Sequence, residues 1–235
     1  METLLKLIEL EMRKHHFSKN LIAAGIANIV ILGFLTMIAA LDRGAEDYAY
    51  SNYAVSFMLI DVCARATFIV FAGALLSKFI IQEYRNKTMN VMFTYPIKRH
   101  KIIAAKLIII FGFTFFMIMF TDLLMGAILL TVNHYYPFVT DALTANEAWR
   151  LLLKYSISSL SAAAMALIPL YFGMRKKSVT ATLVSSIILV FIICSGGSGS
   201  SLSLNSIIII PITLGAIGLW IASMSMHRLE TKDVN

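Results

Sequence analysis

Gln82-Glu83-Tyr84-Arg85-Asn86-Lys87-Thr88-Met89-Asn90-Val91-Met92-Phe93-Thr94-Tyr95-Pro96-Ile97-Lys98-Arg99-His100-Lys101 is a polar, basic island between two long apolar segments. Seven of the chain's twenty Lys and Arg residues fall between Lys78 and Lys106. A short hydrophilic loop would be enough to reverse the chain. This stretch is longer, has helix-forming composition and carries its own apolar stripe. It reads as a structured segment that docks on something beneath a membrane.

The membrane follows from what surrounds the island. Hydrophobic residues make up 59% of the 235 residues and charged residues 14%, with a mean hydropathy of +0.80. Soluble domains average about 45–50% apolar and about 25% charged. The composition therefore predicts an all-α, polytopic membrane protein, with no room for a large soluble domain beside the spans. A helix crosses the bilayer with about 20 apolar residues. Six segments meet that need: Leu21–Leu41, Val55–Ile81, Ile103–Val132, Leu151–Phe172, Val179–Cys194 and Ser206–Met226. The third is longer than required and the fifth is short. Without a duplicated half or a long linker, residues 1–235 read as one transmembrane domain.

Charge sets the orientation. Sixteen of the twenty basic residues fall on one face: in the segment ending at Asn20, between Lys78 and Lys106, at Arg175-Lys176-Lys177, and at Arg228 and Lys232. Arg43, Arg150 and Lys154 fall on the other. Both termini are thus expected in the cytoplasm of a cell-membrane protein. Residues 1–20 read as an amphipathic interfacial helix, with Leu4, Leu5, Ile8 and Met12 at helical spacing. With Glu2, Glu9 and Glu11 they are not expected to form a cleavable signal peptide. The net charge of +7 reflects this bias. Nucleic-acid binding is not expected, because no aromatic-rich basic groove accompanies it.

Few residues inside the spans could carry chemistry. Asp61 and Arg65 lie four apart on the second span and share a face. Asp122 on the third span falls at a similar depth, so the three form a candidate polar cluster. Charge there costs roughly 2.5–3.5 kcal/mol per residue, which calls for pairing or water access. The cluster reads either as a salt bridge locking two helices or as a lining of a translocation path. Pro169 and Pro211 interrupt the fourth and sixth spans and are candidate kinks. The fourth span is rich in small residues, from Ser156 to Ala166, which suits close helix packing. Gly196-Gly197-Ser198-Gly199 matches a Gly-x-Ser-Gly protease pattern, but the sixth span holds no histidine to activate the serine. Cys63 and Cys194 lie in apolar segments and suggest neither a disulfide framework nor a zinc site. No phosphate-binding Gly-x-x-x-x-Gly-Lys-Ser/Thr loop is present, so the chain is not expected to hydrolyse ATP.

Within this six-span layout, Glu83, Arg85, Thr88, the pair Met92-Phe93, Pro96, Arg99 and Lys106 resemble the signature that follows the second span of type-2 ABC exporter permeases. Lys87 stands where glycine is usual, and the longer re-entrant element many members carry between the last two spans is missing. The resemblance implies that 82–101 forms a cytoplasmic coupling helix seated in a cleft of a separate ATPase subunit. Met89, Met92 and Phe93 can share a helix face, and methionine adapts to irregular grooves. Pro96 ends that helix. Glu83, Arg85 and Arg99 would form contacts at the rim. An amphipathic helix resting on anionic lipid is the bland alternative.

The resemblance further implies two ATPase subunits, which bind ATP and Mg, and a second permease chain, identical or a sister. This chain would bind no cofactor or metal and would be no enzyme itself. By analogy the cargo is a peptide or amphiphile, as in antimicrobial peptide export or immunity. An ion-coupled carrier or channel built on Asp61, Arg65 and Asp122 is the rival reading.

Overall fold

The computed structural model describes residues 10–11, 17–41, 53–85, 99–135, 145–176, 178–195, 213 and 215–221. Among them every regular element is helical and no strand occurs. That follows from composition, because in hydrocarbon a backbone must satisfy its polar groups within its own segment. Helix α1 runs Phe17–Leu41 and α2 runs Tyr53–Leu76. A π-turn at Ser77–Ile81 joins α2 to the short α3, Gln82–Arg85. Beyond it come α4, Arg99–Tyr135, α5, Ala145–Met165, α6, Pro169–Lys176, and α7, Val179–Ser195. Residues 215–221 are also helical.

Four helices are long and apolar enough to cross a membrane: Ser18–Leu41, Tyr53–Ile81, Ile102–Tyr135 and Asn146–Lys176. They cover the first four predicted spans. The fifth, Val179–Cys194, is the shorter α7 of 17 residues. The sixth, Ser206–Met226, is described only at 213 and 215–221, so Pro211 lies outside the described residues. At 37 residues, α4 is ~55 Å long, well beyond a ~30 Å hydrocarbon core.

Helix α2 sits at the centre and packs against α4, α7, α5 and α1. Ile60, Ala64, Phe68, Ile69 and Ala72 bury its length. They meet Ile103, Leu107, Ile110, Ile118 and Met125 from α4 in one continuous core. Outward-facing residues are apolar as well, including Ile22, Ile26, Ile29 and Val30 on α1 and Ile188 and Phe191 on α7. An apolar exterior around an apolar core is the pattern of a protein solvated by lipid.

Small residues set the closest approaches. A Cβ on Gly73 of α2 would stand 2.6 Å from the Ser186 hydroxyl of α7. Gly218 lies so close to the Ala164 carbonyl of α5 that no side chain fits between them. The stripe of small residues on the fourth span is this second seam.

Two local breaks interrupt the helices. In the π-turn the Gln82 N–H donates to the Ser77 carbonyl, five residues back. The Ser77 hydroxyl donates to the Ala74 carbonyl at 2.8 Å, a side-chain bond that competes with the regular ladder. At Pro169 the missing N–H separates α5 from α6. The Met165 carbonyl accepts instead from Ile168 at 2.9 Å, and Leu167 and Leu170 also bond three residues back. The chain thus tightens through residues 166–168 before α6 begins.

Candidate functional site

The island predicted at 82–101 is rooted in a buried charge cluster. Lys106, one turn into the apolar part of α4, is fully buried. Its ammonium forms a direct ion pair with Glu83 and donates to the Phe79 carbonyl in the π-turn at 3.0 Å. The Glu11 carboxylate lies 3.6 Å away. One point charge therefore ties the N-terminal segment, the end of α2 and the start of α4 together. A lysine with three donors on a flexible stem suits such a three-way contact.

This tie also sets the register between α2 and α4. From Phe79 to Asp61 is eighteen residues, ~27 Å, and from Lys106 to Asp122 is sixteen, ~24 Å. The two helices run in opposite directions, so both aspartates come level. A second contact fixes the same register. The Phe57 ring packs where a Cβ on Gly126 would stand, 2.7 Å from its edge. Phe57 precedes Asp61 by four residues and Gly126 follows Asp122 by four. One helical turn further on, both carboxylates therefore sit at one level.

At that level Arg65 pairs with Asp61 at 2.6 Å, and its Nε donates to the Asp61 carbonyl at 3.4 Å. Ser158 of α5 donates to the same carboxylate at 3.3 Å. Tyr155, one turn away on α5, stacks obliquely on Phe57 with centroids 6.1 Å apart. The fields of Asp61, Asp122 and Arg65 all reach its hydroxyl. The junction thus joins α2, α4 and α5. Next to it Thr121 donates to Asn28 of α1 at 2.6 Å. Towards the far end Asn133 donates to the Tyr53 hydroxyl at 2.6 Å.

Of the residues singled out for coupling, Glu83 turns inward onto Lys106. Arg85 closes α3 and Arg99 opens α4, and both are placed by backbone alone. Thr88, Met89, Met92, Phe93 and Pro96 lie outside the described residues. Asp61, Arg65 and Asp122 come together as a group with Ser158 and Tyr155, which the sequence did not single out as polar partners. Their spacing of three on one helix face was the available signal. Glu11 was read only as part of an interfacial helix. Among the described residues no three His, Cys, Asp or Glu side chains converge as a metal site.

The chain thus pairs a bundle of long apolar helices with a buried charge cluster where α2 and α4 adjoin the basic connection. Residues 7–195 match the family described as ABC-2 family transporter protein. Over 229 residues the chain is 36% identical to the uncharacterized protein YcbO of Bacillus subtilis (strain 168), covering 97% of this chain and all of the relative. The chain belongs to the ABC-2 transporter family: it is a multi-pass membrane component that works with an ABC ATPase. No solved structure matches it.

Proposed function

We propose that the chain is the permease subunit of an ATP-driven exporter, moving a peptide or amphipathic cargo in antimicrobial peptide export or immunity. Six spans, with both termini and the 82–101 segment in the cytoplasm, form half of a permease dimer. The other half is a second copy or a sister chain. Two ATPase subunits bind ATP and Mg and grip the coupling segment through Met89, Met92 and Phe93, which Pro96 terminates. Arg85, Thr88 and Arg99 lie along its edges. Glu83 acts from beneath, by anchoring the root of that segment to Lys106.

The observation that carries this reading is the Lys106 cluster. A helix that receives a push needs a stiff attachment to the spans, and a buried ion pair with a backbone bond resists shear more than apolar contact does. Closure of the ATPases would drive the segment, and the cluster would hand that displacement to α2 and α4 together. The cargo class rests on family analogy and the absence of any sizeable soluble domain from the sequence.

The test is co-purification from the native host. The chain should bring down an ATPase bearing a phosphate-binding loop, and Met92→Asp should release it while the permease stays in the membrane at wild-type level. Transport in ATPase-free liposomes would refute the reading. It would favour the ion-coupled alternative, which the Asp61, Arg65 and Asp122 junction keeps in view.

A further inference from the structure

The polar junction holds one carboxyl group that its contacts leave without a partner. Asp61 is fully engaged, by Arg65 on one oxygen and by Ser158 across both. Asp122 is not: both of its carboxylate oxygens are shut off from solvent and neither makes a hydrogen bond among the described residues. The Tyr155 hydroxyl is in the same position, on a residue only 8% exposed. A carboxyl group and a hydroxyl left without partners inside a membrane bundle represent a large desolvation cost unless a further group engages them. The Ser158 oxygen, which donates to Asp61, keeps its lone pairs for a further donor.

We propose that Asp122, Tyr155 and Ser158 form a binding site for one compact monovalent cation, either an alkali ion or a primary ammonium group. The donor set argues for this class. Carboxylate and hydroxyl oxygens are hard ligands suited to hard cations, and they accept the three donors of an ammonium equally well. A cation that displaces the proton of this one uncommitted carboxyl group meets a single negative charge, which matches one positive charge and is too little for a divalent ion. Arg65 does not serve, because its guanidinium is committed to Asp61.

Lys154 is the other cation nearby. Its ammonium stands 5.7 Å from the centroid of the Tyr155 ring, and its field reaches Asp61. Among the described residues it makes no ion pair with either carboxylate. It therefore acts as a positive neighbour that weakens the site without filling it. The site goes beyond the permease reading and can be tested on the chain without an ATPase, so its failure would leave that reading untouched.

The experiment uses the full chain in nanodiscs of zwitterionic lipid. Sodium chloride, potassium chloride and ethylammonium chloride are titrated at constant ionic strength against choline chloride, whose cation is too bulky for the site. Binding is read by calorimetry and by the rise in melting temperature. At least one cation should bind saturably, with one equivalent per chain. Asp122→Asn should weaken it at least tenfold, Tyr155→Phe should weaken it several-fold, and Lys154→Gln should tighten it. Saturation by sodium or potassium identifies an inorganic ion, whereas saturation by ethylammonium alone identifies an amine carried by an organic molecule. Should Asp122→Asn fail to fold, Tyr155→Phe and Lys154→Gln carry the comparison. Absence of saturable binding by all three salts, or binding that these substitutions leave unchanged, overturns the site.

Discussion

Replacing Lys106 by methionine tests the root of the proposed coupling segment most directly. The substitution keeps the length of the side chain and its apolar stem but removes the charge. It takes the Lys106 charge away from Glu83 and Glu11, both buried, and it strips the Phe79 carbonyl of the Lys106 donor. Breaking a buried ion pair from one side costs about 3–5 kcal/mol, because the remaining charge stays desolvated. For a chain of this size that corresponds to a fall of roughly 6–20 °C in melting temperature. The geometry also sets a ranking. Lys106 serves both carboxylates, Glu83 touches it directly, and Glu11 stands 3.6 Å away. Lys106→Met should therefore cost most, Glu83→Gln less and Glu11→Gln least. The triple change Lys106→Met/Glu83→Gln/Glu11→Gln should recover much of the loss, since neutral groups can share hydrogen bonds. Thermal unfolding of the four variants in nanodiscs gives the ranking. A Lys106→Met protein that melts like wild type, or a Glu11→Gln protein as damaged as Lys106→Met, would refute the reasoning.

Three further outcomes follow from packing and backbone geometry. Gly73→Ala drives a methyl group into Ser186, and overpacking of this kind costs about 1–3 kcal/mol. Melting should recover in Gly73→Ala/Ser186→Gly, which clears the opposing Cβ. Asn28→Leu removes the tie between α1 and α4, but Thr121 keeps its 2.8 Å bond to the Met117 carbonyl. The loss should thus stay near the low end of the ~0.6–2 kcal/mol seen for bonds between membrane helices, as read by melting temperature. Pro169→Ala restores an N–H where the helix breaks, so residues 166–171 should exchange their amide hydrogens more slowly than in the wild type.

The spans were legible because hydropathy is a property of composition over a window, and the first four persist as long helices. The Asp61 and Arg65 pair was legible because a spacing of four on one helix fixes a face. Asp122 was expected at the depth of Asp61 from counting rise per residue along opposed helices. Glu83 was harder to read. From sequence it belongs to a hydrophilic island and reads as a surface group. Its burial depends on Lys106, twenty-three positions away, entering the apolar part of α4 at the level of the π-turn. No local periodicity announces that turn. Tyr155 and Ser158 were hidden for a different reason. Small and aromatic residues on a membrane helix are ordinarily packing groups, and only the arrival of α2 and α4 at the same level makes their hydroxyls polar partners. The contact of Glu11 with Lys106 needed the path of the N-terminal segment, which charge pattern alone does not define.

The two polar clusters lie near opposite ends of the same helix pair, and this decides where the bundle can slip. Sliding α2 against α4 would part Lys106 from Glu83 and misalign Phe57 with Gly126. It would also unstack Phe71 from Phe113, whose centroids are 5.7 Å apart. Each of these contacts is directional or tightly shaped. The seam between α5 and residues 215–221 has no charge pair among the described residues and is built on small side chains, so a shift there breaks fewer specific bonds. Motion driven from the proposed coupling segment should accordingly move α2 and α4 as one body and be absorbed at the α5 seam. A Cβ on Gly215 would stand 3.4 Å from that of Ala164, close to the spacing a disulfide needs. With Cys63 and Cys194 replaced by alanine, Ala164→Cys/Gly215→Cys should crosslink on oxidation and stop ATP turnover by the co-purified complex, with turnover restored on reduction. A tether between α2 and α4, made by joining Phe71→Cys and Phe113→Cys with a short thiol crosslinker, should leave turnover within about twofold of the same variant without the linker. The opposite result would place the moving seam between α2 and α4 and undo the argument that buried charge makes them one unit.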